Sequence, residues 1–194
     1  MLSLSIQLSN QLDKGDKDML DVKQLMELLC LGYNKKAFVP ILESDIVAYM
    51  YHLWITRFGE VHNVHLDTRL CQKLDSKFDF VIGDVDRNHE KPCIGKPKLV
   101  AEVKAFPYGF TDQQHRVHYY HVINKDLPKL QTLADPPDSR YMILFDEDDY
   151  LRGFDKATQS SRLERLTNHR NELDTQIVMV HLKKTEKGLE PKII

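Results

Sequence analysis

Residues 98–106 (KLVAEVKAF) read as a strand, and the alternation of a strand sorts their side chains onto two faces. Leu99, Ala101, Val103 and Ala105 make one face wholly apolar. Val100, Glu102, Lys104 and Phe106 make the other, with a carboxylate and an ammonium side by side among apolar neighbours. Helices covering both faces would strip water from these charges, and such charges need a partner, a metal or both. Residues 77–83 (KFDFVIG) repeat the pattern: Phe78, Phe80 and Ile82 share a face, and Asp79 and Val81 share the opposite one. If the two strands pair as a meander, Asp79 sits beside Glu102. Two neighbouring carboxylates repel unless one is protonated or a cation lies between them. Oxygen ligands with free water positions suit Mg²⁺ or Mn²⁺. An adjacent lysine can orient or deprotonate a metal-bound water and offset charge on a phosphate.

An acid two residues before a lysine carries no information alone. It recurs at Asp21-Val22-Lys23, Asp75-Ser76-Lys77 and Glu190-Pro191-Lys192, expected on a helix, in a turn and in a Pro-containing tail. Only Glu102-Val103-Lys104 lies inside an apolar strand with an acid in the strand before it.

The elements that must position these groups follow from periodicity. Residues 18–31 have helical spacing at Leu20, Leu25, Leu28 and Leu29, with Gly32 as a stop. A second helix follows Pro40 and runs to about Phe58, ended by Gly59, with Ile46, Val47, Met50, Leu53 and Trp54 as its apolar stripe. Residues 64–70 alternate as a strand, with Val64, Leu66, Thr68 and Leu70 on one face. A polar loop holding Asp84, Asp86, Pro92, Gly95 and Pro97 separates the second and third strands. A long helix starts near Asp112, whose side chain could cap it, breaks or restarts at Pro128, and ends before Asp135-Pro136-Pro137. Residues 140–146 and 176–182 read as strands, and 155–173 as a helix. This order predicts a single α/β domain over residues 1–194, with a mixed sheet flanked by helices. Residues 1–41 form an N-terminal helical extension and 42–182 the core.

Composition is that of an ordinary globular protein, with 42% apolar and 29% charged residues. A net charge of −2 gives no bulk support for nucleic-acid binding, yet basic residues can cluster locally. No apolar run reaches the ~20 residues of a membrane span, and no signal peptide is read at the N-terminus. Cys30, Cys71 and Cys93 are odd in number and widely spaced, so neither a disulfide framework nor a zinc knuckle is expected. A reducing compartment, the cytoplasm, fits that pattern.

The αβββαβ order over residues 42–182, with Asp79 and then Glu102-Val103-Lys104, resembles the PD-(D/E)XK nuclease superfamily, which includes many restriction endonucleases and repair nucleases. The first motif of that family often reads Pro-Asp; here Phe78 precedes Asp79. The resemblance implies a Mg²⁺- or Mn²⁺-dependent nuclease, with DNA favoured over RNA and endonuclease over exonuclease action. Asp79 and Glu102 would bind the metal and Lys104 would assist the attacking water. Members commonly add an acid on the helix before the sheet. Glu43 fills that place, because it aligns at helical spacing with Ile46, Val47, Met50 and Trp54 and would point inward. The Gln-x-x-x-Tyr motif of exonuclease-like branches is not met, since Gln114 and Tyr119 are five apart. A homodimer or a partner subunit would supply the missing DNA-reading surface.

Plainer readings stand beside these. Glu102 and Lys104 could be an ion pair on a solvated strand, Asp79 a turn acid, and Glu43 a first-turn acid favoured by the helix dipole. The site could also be intact on a non-catalytic module that only holds nucleic acid or protein. His115, His118 and His121 read as a polar helix face rather than a zinc site. Arg162, Arg165 and His169 line one face of a late helix and read as phosphate contacts or, more simply, as a solvated face. The acidic run Asp146 to Asp149 reads as a solvated loop.

Overall fold

Apolar stripes on two N-terminal helices need a sheet face to cover, and the sheet in turn needs helices on its other side. In the computed structural model residues 14–58, 63–133, 139–174 and 176–194 are described. The expectations placed on the N-terminal stretch, the Leu20 side chain, Gly59 and Asp135-Pro136-Pro137 fall outside the described residues. Helices α1 (Lys14–Asn34) and α2 (Glu43–Phe58) lead into strands β1 (Val64–Leu70), β2 (Lys73–Asp86) and β3 (Cys93–Phe106). Helix α3 (Asp112–His121) passes through a π-helical turn (Val122–Asp126) into α4 (Leu127–Gln131). Strand β4 (Ser139–Asp146) follows, then a small ribbon of β5 (Phe154–Asp155) and β6 (Ser160–Ser161). Helix α5 (Arg162–Leu173) and strands β7 (Ile177–Thr185) and β8 (Gly188–Ile193) complete the chain.

Six strands form one mixed sheet in the order β1-β2-β3-β4-β7-β8. The β1–β2, β2–β3 and β7–β8 pairs are antiparallel, and β3–β4 and β4–β7 are parallel. Helices α1 and α2 cover one face, packing Leu25, Met26, Leu29, Ile46, Met50 and Trp54 against Ala101, Val103, Tyr141 and Ile143. The α3–α5 side covers the other, packing Val122, Leu127, Leu130 and Leu166 against Val100, Phe106, Met142 and Leu144. The expected α/β class with a mixed, helix-flanked sheet is therefore observed. Among the described residues no helix is long and apolar enough to cross a membrane.

Several local expectations are corrected, each for a physical reason. Helix α1 continues through Gly32 to Asn34. Gly32 is needed for packing, since a Cβ there would strike the Tyr49 ring of α2. Asp67 adopts φ +45°, which breaks the alternation of β1: Val64 packs on the α1–α2 side and Leu70 on the other. Phe78 likewise joins the α3–α5 side, apart from Phe80 and Ile82. The polar loop is mostly strand, because β2 and β3 extend as a long hairpin with register shifts at Ile82/Gly83 and Asp84/Val85. Gly83 permits this by lying against Lys96 O and Pro97 Cα, where a Cβ would come within 2.8 and 2.9 Å.

Thr111 rather than Asp112 caps α3, in a reciprocal capping box with Gln114. Pro128 cannot donate to Asn124, and the wide turn just before it accommodates the ring without ending the helix. Residues 155–161 are ribbon and turn, not helix, with Gln159 left-handed at φ +54° and Ser161 capping α5. The tail around Pro191 is an edge strand, a position that tolerates a missing N–H. Finally, Cys71 and Cys93 are disulfide-bonded, against expectation. Leu70 at the end of β1 pairs with Ile94 of β3, which brings the two cysteines together across the sheet.

Candidate active site

The β2–β3 ladder ends at Phe80 opposite Ala101, so Asp79 and Glu102 are the next residues along two diverging strands. On its other side β3 stays paired with β4 as far as Phe106 opposite Asp146. The divergence leaves an open edge on β3, and carboxylates take its backbone donors. Val103 N–H donates to Asp79 Oδ2 at 2.7 Å, and Ala105 N–H donates to Glu43 Oε1 at 3.2 Å. Glu43 comes from the first turn of α2, whose buried stripe of Ile46, Val47 and Met50 holds that helix over the sheet. His118 of α3 closes the edge. Its Nδ1 lies 2.9 Å from Ala105 O and 3.1 Å from Glu43 Oε1, so Nδ1 carries the proton.

Glu102 and Lys104 project from β3 towards the α3–α4 side. Lys104 Nζ lies 3.2 Å from Glu43 Oε2 and 3.4 Å from Asp126 Oδ2. Lys129 Nζ lies 2.7 Å from Glu102 Oε1, donates to Lys77 O at 2.8 Å, and sits 4.9 Å from the Phe78 ring centre. Glu102 Oε1 and Asp126 Oδ2 are buried, and each has a lysine ammonium as its charged partner. Four carboxylates (Glu43, Asp79, Glu102 and Asp126) share this edge with two ammonium groups (Lys104 and Lys129).

The electrostatics follow from that imbalance. Burial, then the Asp79 charge, push Glu102 well above the ordinary carboxylate value. Burial also raises Asp79 and Asp126, against the pull of nearby lysines. Burial acts the same way on Glu43, but the His118 hydrogen bond and Lys104 overcome it and hold Glu43 below its usual value. Burial works against a charged Lys104, yet Asp126 and Glu43 raise it overall. The Glu43 hydrogen bond raises His118. Lys104 is therefore a firmly held cation.

The sequence-derived residues Asp79, Glu102, Lys104 and Glu43 all meet at this edge. Asp126, Lys129 and His118 meet there too and were not anticipated. Their signal lay in the helix after β3, where His118 is eight residues before Asp126, but the π-helical turn shifts the phase and hides the common face. The expected polar histidine face is corrected. His115 is buried with Nε2 3.0 Å from Pro107 O, and His121 Nε2 lies 3.4 Å from Lys125 Nζ.

Arg162, Arg165 and His169 do not form a solvated face. Arg162 donates to Tyr150 O at 2.9 Å, Arg165 pairs with Asp155 at 2.7 Å, and His169 Nε2 lies 3.1 Å from Ile123 O. The acidic run is a solvated turn only at Asp148 and Asp149. Asp146 is fully buried, Glu147 accepts from Tyr33 and Tyr108, and Asp148 faces His115 at 3.7 Å.

Among the described residues no three His, Cys, Asp or Glu side chains form a ready ligand cage. The donor set nonetheless suits a hard divalent cation, with carboxylate oxygens buried together and acids outnumbering ammonium groups. Mg²⁺ commonly takes only one or two carboxylates and keeps waters or substrate phosphates for the rest.

No protein-family model matches the chain, and no curated protein matches it. A solved structure of SfsA from Pyrococcus furiosus in complex with Ca²⁺ is similar at 12% identity and a TM-score of 0.28. The match covers 77% of this chain and 61% of that one, so this chain spans less than two thirds of that protein.

Proposed function

We propose that the chain is a divalent-metal-dependent nuclease that hydrolyses phosphodiester bonds, with DNA as the favoured substrate. One observation carries this reading: the acids Asp79, Glu102, Glu43 and Asp126 converge with Lys104 where β2 leaves β3, with more buried carboxylates than ammonium groups. Glu102 and Asp79 would hold Mg²⁺ or Mn²⁺. A bound cation of this kind supplies Lewis-acid stabilisation and lowers the pKa of water. Lys104, held charged by Glu43 and Asp126, offsets charge on a phosphate and orients a water rather than removing its proton. Glu43 positions Lys104 and satisfies Ala105 N–H, which fixes the end of β3 that carries Lys104.

The Lys129–Glu102 ion pair favours a second reading, in which a protein cation occupies the acid permanently and the module only binds nucleic acid. Incubation with supercoiled plasmid and single-stranded DNA, in Mg²⁺, Mn²⁺ or EDTA, separates the two. We expect nicking or degradation with metal, none with EDTA, and none from Glu102→Gln. DNA retained but uncut under every metal condition supports the binding module.

A further inference from the structure

Beside the site lies a cleft of about 460 Å³ between the start of β2 and the turn joining α3 to α4. Lys73 and Lys77 line one wall and Lys125 and Lys129 the other. Asp126 is the one acid in the lining, and it faces Lys104. The chain as a whole is slightly acidic, so this is a local concentration of positive charge against the average. Two of the lysines are matched internally, Lys77 by Asp67 and Lys129 by Glu102. Among the described residues neither Lys73 nor Lys125 has a carboxylate partner.

The cleft is continuous with the site, because Lys129 and Asp126 belong to both. Charges of one sign on both walls fit a ligand with regularly repeated negative charge. Resting on the nuclease reading above, we propose that this cleft seats a nucleic-acid strand. Lys73 and Lys125 take phosphates on opposite walls, and the backbone passes Lys129 to reach the Glu102–Lys104 edge. An acidic protein partner would meet the same charges, but nothing would then place a phosphodiester next to Glu102.

Binding in EDTA tests the cleft apart from the chemistry. Labelled single-stranded DNA, duplex DNA and RNA oligonucleotides are titrated against the full chain across roughly 50–200 mM salt. Lys73→Ala/Lys125→Ala is compared with the charge reversal Lys73→Glu/Lys125→Glu. Lys187→Ala, on the exposed turn between β7 and β8, serves as control. Losing two phosphate contacts should flatten the log–log salt slope by about 1.4 units for single strands and about 1.8 for duplex. The charge reversal should weaken binding further, with unchanged thermal melting for both variants. Slopes and affinities equal to those of Lys187→Ala overturn the inference, as does failure of the unaltered chain to bind any of the three nucleic acids. The two readings fail separately. Normal binding by the lysine variants beside metal-dependent cleavage sinks only the cleft. A flattened slope with no cleavage under any metal sinks only the hydrolysis.

Discussion

Glu102 and Asp146 are acids buried on the same face of neighbouring parallel strands, yet they are housed in opposite ways. Asp146 is surrounded by donors that the fold fixes: Tyr150 N–H at 2.8 Å, Leu151 N–H at 3.1 Å and His181 Nε2 at 3.0 Å. It ties the segment after β4 to the sheet. Glu102 meets the Lys129 ammonium at 2.7 Å, and its other charged neighbours include Asp79 and Asp126. A carboxylate met by oriented donors stabilises a loop. One crowded by other acids costs stability, and retaining it at the mouth of a basic cleft points to a role in binding or chemistry.

Lys104→Ala should break the comparison most visibly. Metal-dependent cleavage should fall roughly 10²–10⁴-fold, while Mg²⁺ affinity measured by calorimetry stays level or rises because a like charge has gone. Asp79→Asn should lower both cleavage and metal affinity. If Lys104→Ala keeps full activity, the role given to this lysine is wrong. Next in size is Asp146→Ala, which strands buried N–H donors and should cost about 3 kcal/mol in urea unfolding. Glu102→Gln should leave unfolding unchanged or make the protein more stable. Equal destabilisation by the two replacements would show that the two acids are housed alike.

That distinction was half legible in the sequence. The alternation in residues 98–106 put Glu102 and Lys104 on one face, and helical spacing aimed Glu43 inward, because both patterns are local. The layered α/β class followed from the order of periodic segments. Asp126 and Lys129 were hidden because the π-helical turn before Pro128 changes the helical phase, which no 3.6-residue pattern reveals. Asp146 was misread because a run of four acids looks solvated. The turn that brings Tyr150 and Leu151 N–H back onto Asp146, and the tertiary approach of His181, hold its first member buried. The Cys71–Cys93 bond depends on the parallel contact between β1 and β3, a long-range pairing with no spacing signature.

Within the site, Glu43 and Glu102 should show opposite pH signatures. Glu102 titrates above its ordinary value of 4.5 in the folded protein, so the native state holds its proton more tightly than the unfolded chain. Its contribution is fully present below 4.5 and is lost as pH rises through the folded value. Glu43 is held below 4.5, so its contribution is present at neutral pH and is lost as pH falls through the folded value. Melting temperatures followed against pH should therefore show Glu102→Gln gaining on the unaltered protein as pH rises. Glu43→Gln should lose ground in a separate, more acid window, as pH rises from the folded Glu43 value to 4.5, and stay level above it. Added Mg²⁺ should narrow the gap for Glu102→Gln by stabilising the ionised acid in the unaltered chain. Parallel pH curves for the two variants would show that both acids sit in the same electrostatic setting.

The smallest expected effect concerns the late helix, set against the lysine cleft. Arg162 is spanned by Tyr150, with Nη1 on its carbonyl at 2.9 Å and the guanidinium 3.9 Å from its ring centre. Arg165 is held by Asp155 and lies 5.9 and 5.8 Å from the Tyr119 and Tyr120 rings. These partners fix α5 to α3 and to the β5–β6 ribbon. A phosphate would have to break those contacts before it could be bound, whereas among the described residues Lys73 and Lys125 have no carboxylate to leave, Lys125 keeping only a long contact to His121 Nε2 at 3.4 Å. Replacing both arginines with alanine should lower stability by about 1–2 kcal/mol, from lost cation–π and ion-pair contacts. The salt slope for DNA should not change. A slope flattened by about one unit per arginine would move the phosphate contacts to α5, and would make the charged cleft beside Glu102 the lesser surface.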